Sequence, residues 1–283
     1  MSLLRDAEGR VRAPYVVGTF ALVAIALEMG LTLLLGMVGL LGFDSLDSGR
    51  VIFSTLPSLL SGVTATLVTW LLFRVPTGLT DPRPTVRFGE GFALGALTLV
   101  VCCGVPALVG ATSLTLTSRS AGVVTLAGLT QLCTLAPAGV GEELLMRGLG
   151  FQALRRGLGD AWAIFVSGAV FGGLHLFNEG ATWLAALEVA LVGAWFGALT
   201  VRTGSLWLAM GLHVAWNFFE GFVFGQPVSG NAPGTSLFIG EGPATPGFWS
   251  GGTFGPEAAG WTAVVLGVGL ALALMPRRSA VLT

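Results

Sequence analysis

Eight stretches of this chain are each apolar over roughly the 20 helical residues that cover the ~30 Å hydrocarbon layer of a bilayer. They lie near residues 14–42, 51–73, 91–112, 120–141, 160–177, 181–199, 204–221 and 257–275. That recurrence predicts an all-α fold, a polytopic transmembrane helical bundle of about eight spans. Composition agrees: 53% of residues are hydrophobic and 10% charged, against a charged share of roughly 25% in soluble domains. A soluble globular enzyme and a disordered protein are both excluded. The 43 glycines fit the same class, because small residues let helices approach closely in lipid.

Arginine placement gives an independent topology. All 14 basic residues are Arg, and cytoplasmic loops collect positive charge. With an inside N-terminus, Arg5, Arg10, Arg12, Arg74, Arg83, Arg87, Arg155, Arg156, Arg202, Arg277 and Arg278 fall inside, and Arg50 and Arg119 outside. Both termini are thus expected to be cytoplasmic, in a multi-pass protein of the plasma or inner membrane. The first apolar run is too long for a signal-peptide core and reads as a retained span. Gln226 to Pro256 contains no basic residue and reads as an outside loop that partly covers the bundle. Trp162, Trp183, Trp207 and Trp261 stand near span ends, as interfacial tryptophans do. Cys102, Cys103 and Cys133 read as small hydrophobes. A net charge of -1 leaves no basis for nucleic-acid binding. No internal repeat or second soluble domain is visible.

Against this background Glu142, Glu143 and Arg147 need a reason, since a charge at the centre of a span costs roughly 2.5–3.5 kcal/mol. Glu143 and Arg147 are four residues apart and share a helix face, so they can pair. Glu142 is turned about 100° from Glu143 and is left free for chemistry. The chain has 2 histidines, and both occupy apolar runs. Gly168 and Gly172 share the face of His175, where a neighbouring helix could come close. His213 shares a face with Asn217, and Glu220 continues it as a solvated residue at the end of a span. Glu28 and Glu188 read as hydrogen-bonding partners between helices. If one helix runs from about Gln131 to Arg156, the rise per residue puts Glu142, His175, His213 and Asn217 at similar depth, ~14–22 Å from the nearest span edges. That placement requires the stretch before Pro137 to bend or re-enter.

Glu142-Glu143-x-x-x-Arg147, Phe171-x-x-x-His175 and His213-x-x-x-Asn217 occur in this order, and the set resembles the signature of the CPBP family of intramembrane proteases. That family includes type II CAAX prenyl endopeptidases and the bacteriocin-immunity-like Abi proteins. The resemblance covers roughly residues 137–220. It implies an endopeptidase in which Glu142 and His175 activate a water, while His213 and Asn217 form the oxyanion pocket. Glu143, Arg147 and Phe171 would support the site. With the span placements, this leaves N-terminal helices (1–119), a catalytic core (120–221), an extracytoplasmic loop (222–256) and a C-terminal helix and tail (257–283).

No cofactor is expected on this reading. A divalent metal such as zinc is the alternative, held by Glu142, His175 and His213, although His-Glu-x-x-His is absent and Asn is a poor zinc ligand. The partners implied are the lipid bilayer and a peptide or membrane-protein substrate, with no statement on oligomeric state. The Arg-only, Ala- and Gly-rich composition points to a bacterium with a GC-rich genome, where prenylated substrates are not expected. Two other functions are compatible with buried Glu and His: a proton- or ion-coupled transporter, and a non-catalytic scaffold or immunity protein.

Overall fold

The computed structural model describes residues 11–39, 47–74 and 76–276. Its helices are α1 (Ala13–Gly39), α2 (Asp47–Phe73), α3 (Pro84–Leu108), α4 (Ala121–Arg147), α5 (Leu149–Leu158), α6 (Asp160–His175), α7 (Trp183–Thr203), α8 (Leu206–Phe218) and α9 (Gly260–Leu274). A π-helical turn, Phe219–Val223, extends α8. Strands β1 (Ser113–Leu116) and β2 (Phe238–Glu241) pair antiparallel, with Ser113 opposite Glu241. The pairing brings the α3–α4 connection and the long loop after α8 to the same end of the bundle.

Every predicted apolar segment contains a helix, so the helical membrane character stands. The count of about eight spans is larger than the structure supports. Among the described residues, 4 helical stretches are long and apolar enough to cross a membrane: Ala13–Leu35, Pro84–Leu108, Ala121–Leu158 and Trp183–Thr203. Leu59–Phe73 and Gly260–Leu274 are shorter apolar helices. The α6 helix stops after 16 residues at His175, short of the ~20 residues a full crossing takes, while α8 and its π turn run on together from Leu206 to Val223. Arg5, Arg10, Arg277 and Arg278, which carried part of the topology argument, lie outside the described residues.

The stretch before Pro137, expected to bend or re-enter, is helical throughout. α4 runs through Pro137 without interruption and ends at Arg147. The break comes one residue later, at Gly148, where ψ is -143° and a Cβ would stand 2.1 Å from the Leu144 carbonyl oxygen. The single helix from Gln131 to Arg156 is therefore two, and Glu142 sits in the last two turns of α4. The depth argument fails in its construction, because hydropathy cannot register a one-residue break inside an apolar run.

Glycines set the helix crossings. A Cβ on Gly91 of α3 would fall 1.9 Å from Leu208 O of α8, one on Gly95 would fall 2.5 Å from Leu212 O, and one on Gly211 would fall 2.0 Å from Phe88 O. These two helices therefore touch backbone to backbone. The α6–α7 crossing is built alike, with Gly172 against Ala186 O at 2.2 Å and Gly168 against Ala190 O at 2.7 Å. Gly168 and Gly172 thus admit a neighbour as their spacing predicted. On the other side, α2 meets α4 where Gly62 faces Gly141 O at 2.8 Å. The start of α8 is seated by the preceding linker, through Leu206 N–H to Gly78 O (2.9 Å) and Trp207 Nε1–H to Leu79 O (2.9 Å).

Ser61 Oγ donates to Glu28 between α2 and α1, the helix–helix role expected for that acid. Trp162 and Trp183 are exposed, while Trp261 donates to Val101 O. Cys102 and Cys103 are buried and free.

Gly91→Val forces side-chain atoms into the α3–α8 backbone contact, whereas nothing lies within 4 Å of a Cβ on Gly89. Overpacking costs about 1–3 kcal/mol, so thermal melts in detergent should show a lowered midpoint for Gly91→Val and an unchanged one for Gly89→Val.

Candidate active site

Three helices carry the polar groups. Near its C-terminal end α4 presents Glu142, Glu143 and Arg147. α6 ends on His175, one turn after Phe171, and α8 carries His213 and Asn217. Gly139 opens the α4–α8 contact, since a Cβ there would be 3.4 Å from His213 Cγ. Gly193 of α7 does the same for α4, α6 and α7, with a virtual Cβ 3.0 Å from Arg147 Nη2 and 3.2 Å from Phe171 Cβ.

At the centre of this junction is a buried ionic chain. Arg147 Nη1 donates to Glu143 Oε1 (2.8 Å), and neither side chain is exposed to solvent. Arg147 Nη2 donates to the Gly193 carbonyl (2.8 Å), and its guanidinium lies over Phe171 (4.8 Å) and Phe196 (5.5 Å). Desolvation of two charges is costly unless geometry and further hydrogen bonds offset it; here a salt bridge, a carbonyl and two aromatic faces offset part of it, while Glu143 Oε2 and Arg147 Nε have no hydrogen-bond partner. The i, i+4 pairing read from the sequence is therefore present.

Glu143 has a second function that helical angle did not reveal. Its Oε1 lies 2.9 Å from His213 Nδ1. A carboxylate partner places the proton of that nitrogen between them and turns Nε2 toward the other side of the ring. That Nε2 is 3.7 Å from Glu142 Oε2, whose side chain is 30% exposed while Glu143 is at 0%. Two adjacent glutamates thus occupy different environments, one sealed behind the imidazole and one open before it.

Phe171 ties the second histidine to the first. Its ring meets His175 edge-on at 4.5 Å between centroids, and His213 at 6.0 Å. His175 Nδ1 is 2.8 Å from Phe171 O, which leaves its Nε2 for other partners. Asn217 is buried one turn beyond His213.

Two further acids are buried beyond this row. Glu257, on a 3₁₀ turn Pro256–Ala258 before α9, accepts from Trp216 Nε1 (3.0 Å) and Ser229 Oγ (2.5 Å). Glu220, expected to be solvated, lies in the π turn and is fully buried. The indole N–H of Trp216 is spent on Glu257, and both Glu220 oxygens have no hydrogen-bond partner. Glu257 could not be singled out from the sequence, since it follows a polar loop with no spacing relation to either histidine.

Among the described residues no cluster of three His, Cys, Asp or Glu groups suits a metal ion. The donors present form a carboxylate–imidazole–carboxylate row, and one nitrogen of His213 is already engaged by Glu143.

Residues 124–219 match the family model described as type II CAAX prenyl endopeptidase Rce1-like. The match covers about a third of the chain, and that third is what is similar to the family. No curated protein matches the chain. The matched residues begin in α4 and end at the π turn, so they include all three motifs and exclude α1–α3, the long loop and α9.

Arg147→Met strands Glu143 as a buried carboxylate without its cation, and removal of one partner of such a pair typically costs about 3–5 kcal/mol. Unfolding in mixed micelles should show that loss for Arg147→Met. The double variant Glu143→Leu/Arg147→Met should recover most of it while leaving His213 without its anchor.

Proposed function

We propose that this protein is an integral-membrane endopeptidase that hydrolyses a peptide bond of a membrane-associated peptide or protein. The observation that carries the reading is the row Glu143–His213–Glu142, with a buried carboxylate on one imidazole nitrogen and a partly open carboxylate 3.7 Å from the other. The family match supports protease activity of the CAAX type.

In this reading Glu142 is the base. It is the carboxylate of the row that substrate and water can reach, and with His175 it takes a proton from the attacking water. Attack on the carbonyl carbon yields a tetrahedral oxyanion. His213, fixed by Glu143, donates to that oxyanion from Nε2 when its ring is protonated, and the Asn217 carboxamide supplies a second donor. Each such donor is worth roughly 2.7–4 kcal/mol at an oxyanion. The proton held by Glu142 and His175 then passes to the leaving amine as the C–N bond breaks. Glu143, Arg147 and Phe171 hold the rings in register and do not touch substrate.

Cleavage products in membranes that contain the wild-type protein, and are missing with Glu142→Ala, would identify the substrate. Glu142→Gln and His175→Ala should each reduce turnover by at least about 100-fold while the melting temperature stays within a few degrees. Wild-type turnover by folded Glu142→Gln would remove the assignment. Turnover is expected to survive a chelator; activity lost to the chelator and restored by zinc would replace water activation by Glu142 with metal catalysis.

A further inference from the structure

The long connection between α8 and α9 carries a buried acid that is bonded to the helix of His213. Its last residues enter the core, where Phe254 and Ala258 are fully buried. Glu257 between them is 6% exposed and accepts hydrogen bonds from two separate parts of the chain. One donor is Trp216, which is 1% exposed and stands in α8 between His213 and Asn217. The other is Ser229, at the tip of a tight turn in which Val228 and Asn231 pair with each other.

That turn is fastened to the end of α6. Asn178 Nδ2, three residues beyond His175, donates to Ser229 O (3.0 Å), and Gly230 N–H donates to Phe254 O (2.7 Å). Gly230 has φ +87° and packs so closely that a Cβ would be 2.1 Å from Glu179 O. Ser229 itself has φ +47°, a conformation that a non-glycine residue holds at some cost. Such strain persists where surrounding contacts over-determine it; here they are the Glu257 and Asn178 bonds.

We propose that Glu257 is a positioning residue for the catalytic histidines, a clamp that fixes Trp216 of the His213–Asn217 helix and, through Ser229 and Asn178, the α6 end that carries His175. The segment from 226 to 259 is on this account a structural wall of the site. The catalytic consequence rests on the endopeptidase reading above. The clamp itself does not.

The test uses the full-length protein in nanodiscs, purified by a tag without histidine so that His175 and His213 give the only imidazole signals. In Glu257→Gln the amide oxygen can accept from Trp216 and the amide N–H can donate to Ser229 Oγ, so both links survive. In Glu257→Leu neither does. With ring-labelled histidine, Glu257→Leu should shift both imidazole resonances, and Glu257→Gln should return them near their wild-type positions. Turnover of a substrate found by the membrane comparison should fall roughly 10- to 100-fold for Glu257→Leu, with KM within about twofold, and recover within about threefold for Glu257→Gln.

Unmoved imidazole signals in folded Glu257→Leu overturn the clamp, and so does a Glu257→Gln variant as impaired as Glu257→Leu. If Glu257→Leu does not fold, Ser229→Ala and Trp216→Phe each remove one link, and the same imidazole shifts decide. If the wild-type protein cuts no peptide, the endopeptidase reading fails and the imidazole signals alone support or overturn the clamp.

Discussion

The site depends on one buried ion pair. Glu143 and Arg147 sit four residues apart on α4 with no solvent contact, and both histidines are reached through them. Glu143 reaches across to His213 on α8. Arg147 reaches to Gly193 on α7 and lies over Phe171, whose ring meets His175. A pair that is costly to bury is therefore also the junction of four helices. Its hydrogen bonds make the position of His213 a property of the interior and leave Glu142 as the adjacent carboxylate with access to water.

Close approach is what allows such short side chains to meet. The α3–α8, α6–α7 and α2–α4 contacts each pass through a glycine whose Cβ would strike a carbonyl on the partner helix. In lipid there is little hydrophobic drive between helices, and packing at van der Waals distance has to supply cohesion. The same glycines fix the relative height of the helices, which brings His213 Nδ1 within 2.9 Å of Glu143 although 70 residues separate them.

Much of this was legible in the residues. Charged groups in apolar runs pointed to Glu142, Glu143 and Arg147, and helical spacing alone separated the self-paired glutamate from the free one. The glycine face beside His175 predicted a close neighbour. What stayed hidden has physical causes. The break at Gly148 depends on one backbone angle, which no hydropathy average records. The burial of Glu220 reflects a chain that continues past α8 as a π turn with the later loop packed on it at Gly255, where the residues suggested only the solvated end of a span. Glu257 reaches the site through a loop with no periodicity from which a direction could be read. The bond from Glu143 to His213 is a tertiary contact, and angle on one helix says nothing of who waits opposite.

The boundaries of the family match acquire a meaning from the helix crossings. The matched residues begin after α3 and end just after α8, yet α8 is gripped along one side by the glycines of α3, and its Trp216 is held by a residue that follows the match. The signature-bearing stretch is thus not a self-sufficient module. Grafted onto other helices, it would carry every catalytic candidate and still lack the two surfaces that hold His213 and Asn217 in place, so exchange of such cores between proteins requires their flanks to travel with them.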